Sequence, residues 1–138
     1  MKEYLLKDIS PGLNHSFQVQ LSEEMMNTFE KLTGDANLLH TSKDFAISNG
    51  YKDRVVYGML TSAFYSTLVG MYLPGKYALL QGVDVSLIAP VFPGDTLTVF
   101  GEVTAVHEAF RQIEIKAYIT NQIGKKISRA KIRSGIHE

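Results

Sequence analysis

Cysteine is absent from the 138-residue sequence, so the chain has no disulfide framework, no thiol nucleophile and no thiolate metal site. An excess charge of either sign is also absent, because 14 basic and 14 acidic residues give a formal net charge of +0. That balance argues against nucleic acid as the main partner. The sequence contains neither a glycine-rich phosphate loop nor a His/Asp/Glu cluster with metal-ligand spacing, and we expect no metal and no cofactor.

The first twelve residues, MKEYLLKDISPG, lack a sustained apolar run, which predicts that there is no signal peptide. Together with the absence of cysteine, this favours a cytoplasmic location. The segment Val55–Gly75 is uncharged and long enough to cross a bilayer, but it contains three tyrosines, three glycines and a proline. Because the remaining chain supplies strands that need a hydrophobic partner, we interpret this segment as a buried helix and expect no membrane association.

Length and hydrophobic periodicity predict one domain, residues 1–138, with most of the helices before most of the strands. The expected elements are a strand at 14–21, a helix from Ser22 to about Thr33, a short helix from Ser42 to Asn49, a long helix from Tyr57 to Leu73, and strands at 79–88, 96–106, 111–120 and 125–136. This order predicts an α+β domain with helices packed on one antiparallel sheet. The segment Asp35–Thr41 fits neither pattern, and we expect it to be irregular.

That irregular segment contains an acid and an imidazole. Asp35 and His40 are five residues apart, and on a continuous α-helix they would point about 140° away from each other. They can converge on one atom only if the chain around them departs from a helix. Gly34 and Asn37 are residue types that permit such a path. A carboxylate and an imidazole that share one water can perform general acid–base chemistry.

Three short motifs follow one another along the chain: DANLLH at residues 35–40, VYGML at 56–60 and PVFPGD at 90–95. With these motifs the sequence resembles the MaoC-like dehydratases, the (R)-specific enoyl thioester hydratases of the hot-dog fold. The resemblance covers nearly the whole chain, and it implies an antiparallel sheet wrapped around a long central helix. Two positions depart from the family pattern, because Leu38 replaces the usual Pro and Tyr57 replaces the usual His.

The resemblance and the required chemistry together imply a role for each motif residue. Asp35 is the candidate general base, and His40 is the partner that orients the water and acts as acid. Asn37 is expected to hold the loop through local hydrogen bonds. The backbone N–H of Gly58, at the start of the long helix, is suited to stabilise charge on the thioester oxygen. Ser66 matches the family position whose hydroxyl lines the reacting centre.

Each of these residues also has a purely structural interpretation. Asp35 is of a type common in turns, and His40 is compatible with a partly buried histidine bonded to the backbone. Gly58 and Ser66 belong to a stripe of small residues, with Ser62 and Gly70, that would let strands pack closely on the helix. The order and spacing of the motifs favour the catalytic interpretation.

A basic face is expected on the last strand. By the two-residue period of a strand, one face carries Lys125, Arg129, Lys131 and Arg133. Such a face is usually only solvated. It is also suited to contact the phosphates of coenzyme A or the acidic surface of an acyl carrier protein.

We therefore expect a lyase that adds water to, or removes it from, a 2-enoyl/3-hydroxyacyl thioester carried by coenzyme A or acyl carrier protein. Two alternatives stay open. A thioesterase could use the same fold with an acid that activates water, since fold does not fix function. An acyl-binding subunit without activity would be compatible with the departures at Leu38 and Tyr57. We also expect a homodimer, because a small sheet leaves an edge that must be covered or paired.

Overall fold

The structure is a computed structural model that describes residues 1–138. Its helices and strands are β1 (Asn14–Gln20), α1 (Glu23–Thr33), α2 (Leu38–Thr41), α3 (Lys43–Ser48), α4 (Gly58–Met71), β2 (Ala78–Leu87), β3 (Thr96–His107), β4 (Gln112–Thr120) and β5 (Lys126–Ile136). Each expected helix and strand is present and ends within two residues of the position that the sequence indicates. The predicted α+β class is confirmed.

All five strands form one antiparallel sheet in the order β1-β3-β4-β5-β2. Strand β4 shows how the sequence builds the core. Its alternate residues Ile113, Ile115, Ala117 and Ile119 are buried, and the polar residues between them lie on the other face of the sheet. The order leaves β1 and β2 at the two edges.

Helix α4 is buried along one side only. The buried residues are Thr61, Tyr65, Leu68 and Val69. The exposed residues are Met59, Ala63, Ser66 and Gly70, which repeat at three- and four-residue intervals, and Met71 at the end of the helix. The expectation that this helix is buried on most sides is therefore wrong for the single chain, because one sheet covers one face of a helix.

The stripe of small residues on α4 also differs from the expectation. A Cβ atom placed on Gly70 would have no neighbour within 4 Å, and Ser66 is exposed. No strand of the chain therefore packs on this half of the stripe. Helix α4 has 14 residues, and no helix of the structure has the length and apolarity needed to cross a membrane.

Helix α1 begins and ends where the sequence predicts. The Ser22 hydroxyl accepts a hydrogen bond from the N–H of Met25 at 3.2 Å, which caps the first turn. Gly34 ends the helix with a φ of 75°, in the left-handed region that glycine adopts without strain. The chain therefore reverses direction just before Asp35.

The expectation of an irregular segment from Asp35 to Thr41 is correct only for its first half. Residues Leu38–Thr41 form one helical turn, α2. The turn forms because the side-chain oxygen of Asn37 accepts the N–H of Leu39 at 2.9 Å and caps it.

Backbone hydrogen bonds bring the three sequence motifs to one end of α4. The N–H of Val55 donates to the carbonyl of Leu39 at 3.1 Å. The next residue, Val56, donates to the carbonyl of Val91 at 2.8 Å. The segment that leads into α4 is thus held between the DANLLH loop and the PVFPGD turn.

Candidate active site

Asp35 lies in a local turn on the surface. One oxygen of its carboxylate, Oδ1, accepts the N–H of Asn37 at 3.1 Å, and its own N–H donates to the Thr33 hydroxyl at 3.2 Å. The other carboxylate oxygen has no partner within the chain. Asp35 is therefore a turn residue, as the structural interpretation expects, but one of its carboxylate oxygens is still available for chemistry.

Asn37 acts as the sequence predicts, because its side chain makes the local hydrogen bond that starts α2. That turn is followed directly by α3, whose first turn is capped by the Ser42 hydroxyl accepting the N–H of Phe45 at 3.2 Å. Two consecutive caps fix the path of the chain on both sides of His40.

His40 is half-buried, and its ring is anchored to the backbone. The Nδ1 atom lies 2.6 Å from the carbonyl oxygen of Val55. A carbonyl oxygen can only accept, so Nδ1 carries a proton and donates it. In the neutral ring Nε2 is then unprotonated, and its lone pair is available to accept a hydrogen bond from water. Anchoring and catalytic use are compatible, because they involve different nitrogens.

His40 and Gly58 line the same cavity, which has a volume of about 400 Å³. Most of its walls are apolar. The other lining residues are Tyr51, Val55, Val56, Thr61, Leu87, Ile88, Ala89, Pro90, Val91 and Ile127. An apolar cavity with an imidazole at one point and a helix N-terminus at another suits an acyl chain joined to a polar reacting group.

Gly58 is the first residue of α4, and its N–H has no acceptor within the chain. The first N–H groups of a helix are unpaired and carry partial positive charge, so they suit a developing negative charge. A Cβ on Gly58 would overlap a methyl group of Leu87. Close packing of Leu87 is therefore a structural reason for glycine here, besides the close approach of a substrate.

Two predicted residues lie outside this cavity in the single chain. Asp35 does not line it. Ser66 is eight residues beyond Gly58, about 12 Å along the helix axis, and it is exposed. The convergence of Asp35 and His40 on one water, and the role of Ser66, remain predictions.

The basic residues of the last strand lie on the outer face of the sheet. Arg129, Lys131 and Arg133 are exposed there, and they line depressions that contain neither His40 nor Gly58. The larger depression has a volume of about 640 Å³. Lys125 belongs to the turn before β5 and not to the strand, which begins one residue later. A contact between these residues and a carrier phosphate remains a prediction.

Cross-strand acidic neighbours reduce the positive charge of this face. Lys131 lies opposite Asp84 on β2, and Arg133 lies opposite Glu114 on β4. Lys131 also lies opposite Lys116 on β4, so the acidic neighbours offset only part of the positive charge of this face.

Sequence reasoning did not give Val55 or Tyr57 a part in this site. Val55 acts through its backbone carbonyl, for which side-chain identity gives no signal. The hydroxyl of Tyr57 donates to the backbone carbonyl of Asp35 at 2.6 Å, and its ring stacks on His40 with centroids 4.1 Å apart. The departure from the family pattern at position 57 was the available signal.

The comparison with protein families decides what kind of domain this is. The model described as "MaoC like domain" matches residues 7–123. The chain belongs to the MaoC-like dehydratase family. Among relatives of this MaoC-like chain, the (R)-specific enoyl-CoA hydratase of Rhodospirillum rubrum is 33% identical over 103 residues, which are 75% of this chain and 72% of that protein. The (R)-specific enoyl-CoA hydratase of Aeromonas caviae is 40% identical over 80 residues, 58% of this chain and 60% of that protein.

A solved structure extends the match to the whole MaoC-like domain. The (R)-hydratase from A. caviae involved in PHA biosynthesis superimposes with a TM-score of 0.91 at 27% identity. The superposition covers 95% of this chain and 99% of that one. The hot-dog fold that the sequence resemblance implied is confirmed.

Proposed function

We propose that the chain is a hydro-lyase that adds water across the double bond of a 2-enoyl thioester to give the (R)-3-hydroxyacyl thioester, or removes it in reverse. The observation that carries the proposal is the cavity shared by His40 and Gly58, in a chain similar to proteins named (R)-specific enoyl-CoA hydratase. The imidazole supplies acid–base chemistry and the helix N-terminus supplies charge stabilisation.

The proton transfers are assigned to Asp35 and His40. In hydration, a water oxygen bonds to C3 while the water loses a proton, and C2 gains a proton. Asp35 is assigned as the base, through the carboxylate oxygen that the turn leaves unpaired. His40 orients the water and, as the imidazolium ion with a proton on each nitrogen, gives its Nε2 proton to C2. Asp35 then passes the proton that it took from the water to Nε2 of His40, so that both groups regain their starting protonation after one cycle.

Gly58 is assigned to the thioester oxygen. Attack at C3 moves electron density onto this oxygen and gives an enolate-like transition state. The free N–H at the start of α4 can donate to that oxygen, and the partial positive charge of the helix N-terminus adds to the stabilisation. The apolar walls of the cavity offer a surface on which the acyl chain can pack.

An acyl-CoA thioester is the substrate class that the relatives' names support. We propose coenzyme A as the carrier to test first, with acyl carrier protein as the second. The basic residues Arg129, Lys131 and Arg133, with Lys125 beside them, stay candidates for contacts to a carrier phosphate.

A homodimer is part of the proposal. Edge strand β2 exposes the apolar residues Leu79, Leu80, Val83 and Leu87, and the adjoining Ile88 is also exposed. The exposed side of α4 adds Met59, whose side chain is 70% exposed. Apolar area of this extent on an unpaired edge and a helix face favours burial against a second copy.

We propose further that residues 1–138 act as one domain, which is supported by a single sheet and a single cluster of 21 buried apolar residues. A cytoplasmic location stays a prediction, favoured by the absence of cysteine. Cell fractionation with a detectable tag on the full chain tests it, and recovery in another compartment would contradict it.

The purified protein and crotonyl-CoA test the activity. Hydration removes the conjugated double bond, so absorbance at the enoyl band falls, and chiral analysis of the product should give the (R)-3-hydroxy acid. A thiol reagent in a parallel reaction detects hydrolysis of the thioester. Thiol release without formation of a 3-hydroxyacyl product would replace the hydratase by a thioesterase, because hydrolysis also abolishes the enoyl-thioester band. Saturable binding without either signal, on both carriers, would replace it by an acyl-binding subunit.

A further inference from the structure

The side chain of Tyr57 lies between the two residues assigned to proton transfer. Its hydroxyl donates to the backbone carbonyl of Asp35 at 2.6 Å. Its ring stacks on the imidazole of His40, with centroids 4.1 Å apart and planes 30° apart. The ring of Phe29 also contacts the Tyr57 ring, with centroids 4.8 Å apart. Tyr57 is 2% exposed, so these contacts fix its position.

The place of Tyr57 at the start of α4 makes this arrangement unusual. Tyr57 is the N-cap residue of α4, a position where a short polar side chain normally accepts an N–H of the first turn. Its side chain makes no cap bond. The hydroxyl crosses instead to a loop 22 residues earlier in the chain. In the first turn of α4 the N–H groups of Gly58 and Met59 consequently stay without an acceptor in the chain, whereas the N–H of Leu60 donates to the backbone carbonyl of Tyr57 at 3.1 Å.

The Tyr57 hydroxyl is a donor throughout the neutral pH range. Burial raises the pKa of this phenol above its ordinary value of 10.0. The nearby carboxylates of Glu30 and Asp35 raise the pKa further, and the guanidinium of Arg54 opposes them. A carbonyl oxygen can only accept, so the proton of the phenol stays directed at Asp35.

We propose that Tyr57 is a positioning residue that holds the Asp35 turn and the His40 ring in one fixed relation. This inference rests on the proposed hydratase function. The hydroxyl holds the backbone of Asp35, and the face of the ring holds the plane of the imidazole. Tyr57 adjoins Gly58 in the chain, so one residue connects all three groups assigned to the reaction.

A purely structural aromatic residue would not need the hydroxyl. Phe at this position would fill nearly the same volume and keep both ring contacts. The carbonyl of Asp35 lies in an exposed turn, where a water molecule could donate the hydrogen bond in place of the Tyr57 hydroxyl at little cost in free energy. The hydrogen bond therefore contributes order to the turn more than it satisfies a buried group.

The two contacts of Tyr57 can be removed one at a time. Tyr57→Phe removes the hydroxyl and keeps the stack. We expect kcat to fall roughly 3- to 10-fold with KM nearly unchanged, since one orienting hydrogen bond is lost. Tyr57→Leu removes the ring as well, and misplacement of the imidazole should lower kcat by about 100-fold.

Tyr65→Phe is the matched control. Tyr65 is also a buried tyrosine of the α4 region, and its hydroxyl is hydrogen-bonded to the Ser128 hydroxyl at 2.7 Å, away from the cavity. Loss of that bond should lower the melting temperature and leave kcat within twofold of the wild-type value. If Tyr57→Phe lowers the melting temperature as much as Tyr65→Phe does and leaves kcat unchanged, the inference is overturned.

The protonation pattern of the His40 ring is a second measurement, and it would not change if Tyr57 had only a structural role. Nitrogen NMR of the ring, assigned by the loss of the signal in His40→Ala, reports which nitrogen carries the proton. Wild type and Tyr57→Phe should both show His40 protonated at Nδ1. Tyr57→Leu should show an averaged signal. If Tyr57→Leu does not fold, Tyr57→Phe and its control still decide through kcat.

The wild-type assay separates this inference from the proposed function. A wild-type protein that does not hydrate crotonyl-CoA contradicts the function, and the NMR comparison then decides the positioning alone. An active wild type whose Tyr57→Phe and Tyr57→Leu variants keep both kcat and the Nδ1 signature contradicts the positioning alone.

Discussion

Nδ1 of His40 lies 2.6 Å from the backbone carbonyl oxygen of Val55. The N–H of Val55 in turn donates to the carbonyl of Leu39, the neighbour of His40. This pair of bonds ties α2 to the segment that enters α4. It also leaves Nε2 as the ring nitrogen available for catalysis, because Nδ1 is bonded to the backbone.

Substitution of His40 can separate anchoring from catalysis. In His40→Asn the side-chain amide nitrogen takes the place of Nδ1 and can keep the bond to Val55, but nothing replaces Nε2. We expect the melting temperature to change little and kcat to fall by roughly 10²–10⁴-fold. His40→Gln, whose amide reaches nearer to Nε2, is the matched variant. Equal, near-wild-type rates for both would remove His40 from the reaction.

Gly58→Ala tests the two reasons for glycine at the start of α4. The added methyl group overlaps a terminal methyl of Leu87, whose exposed side chain can rotate away, so we expect the free energy of unfolding to change by less than about 1 kcal/mol. The double variant Gly58→Ala/Leu87→Ala, which removes the overlap, should regain whatever stability the single variant loses. If substrate approach also requires glycine, the double variant stays slower than Leu87→Ala alone. Full recovery of both stability and rate would show that packing against Leu87 is the only reason.

Ala63→Glu tests the homodimer. Ala63 lies on the exposed side of α4, where a glutamate would be harmless in a monomer. In the proposed dimer it is buried against the second copy, so the variant should become monomeric. Ala109→Glu, in an exposed turn, is the control and should stay dimeric. Light scattering at micromolar concentration should give twice the 15.4 kDa chain mass for wild type, and a monomeric wild type would refute the dimer.

His15 should make stability depend on pH. Its ring stacks on Tyr72 with centroids 4.0 Å apart. Burial, and then the positive charge of Lys2, lower the pKa of His15 below its ordinary value of 6.5. As pH falls through about 6.5, the unfolded chain binds a proton that the folded chain does not, so stability decreases until the lowered pKa is reached.

His15→Phe keeps the stack and cannot titrate. The melting temperature of wild type relative to this variant should therefore be lower at pH 5 than at pH 8. A difference that stays constant between these two pH values would show that His15 has the same pKa in both states.

The strands and the helix caps were predictable because their causes are local. The alternation around Ile113 and Ile115 reports burial on one face, and Ser22 with Gly34 marks the two ends of α1. The exposed side of α4 was not predictable. An uncharged stretch indicates burial against some apolar surface, but it does not say whether that surface belongs to the same chain.

The candidate site was predictable as a set of residues and not as a geometry. Order and spacing identified Asp35, His40 and Gly58, whereas the anchoring of His40 depends on the carbonyl of Val55. Backbone groups are the same in every residue, so no sequence pattern reports them. Tyr57 was noticed as a departure, but its hydrogen bond crosses 22 residues of chain and becomes visible only in three dimensions.

The rate of crotonyl-CoA hydration by Asp35→Asn, beside wild type, tests the central claim most directly. The asparagine oxygen can still accept the N–H of Asn37, so the turn and the melting temperature should be kept. The variant has no carboxylate to take a proton, and we predict that kcat falls by roughly 10²–10⁴-fold. A folded Asp35→Asn protein whose turnover stays within a few-fold of wild type would contradict the assignment of Asp35 as the base.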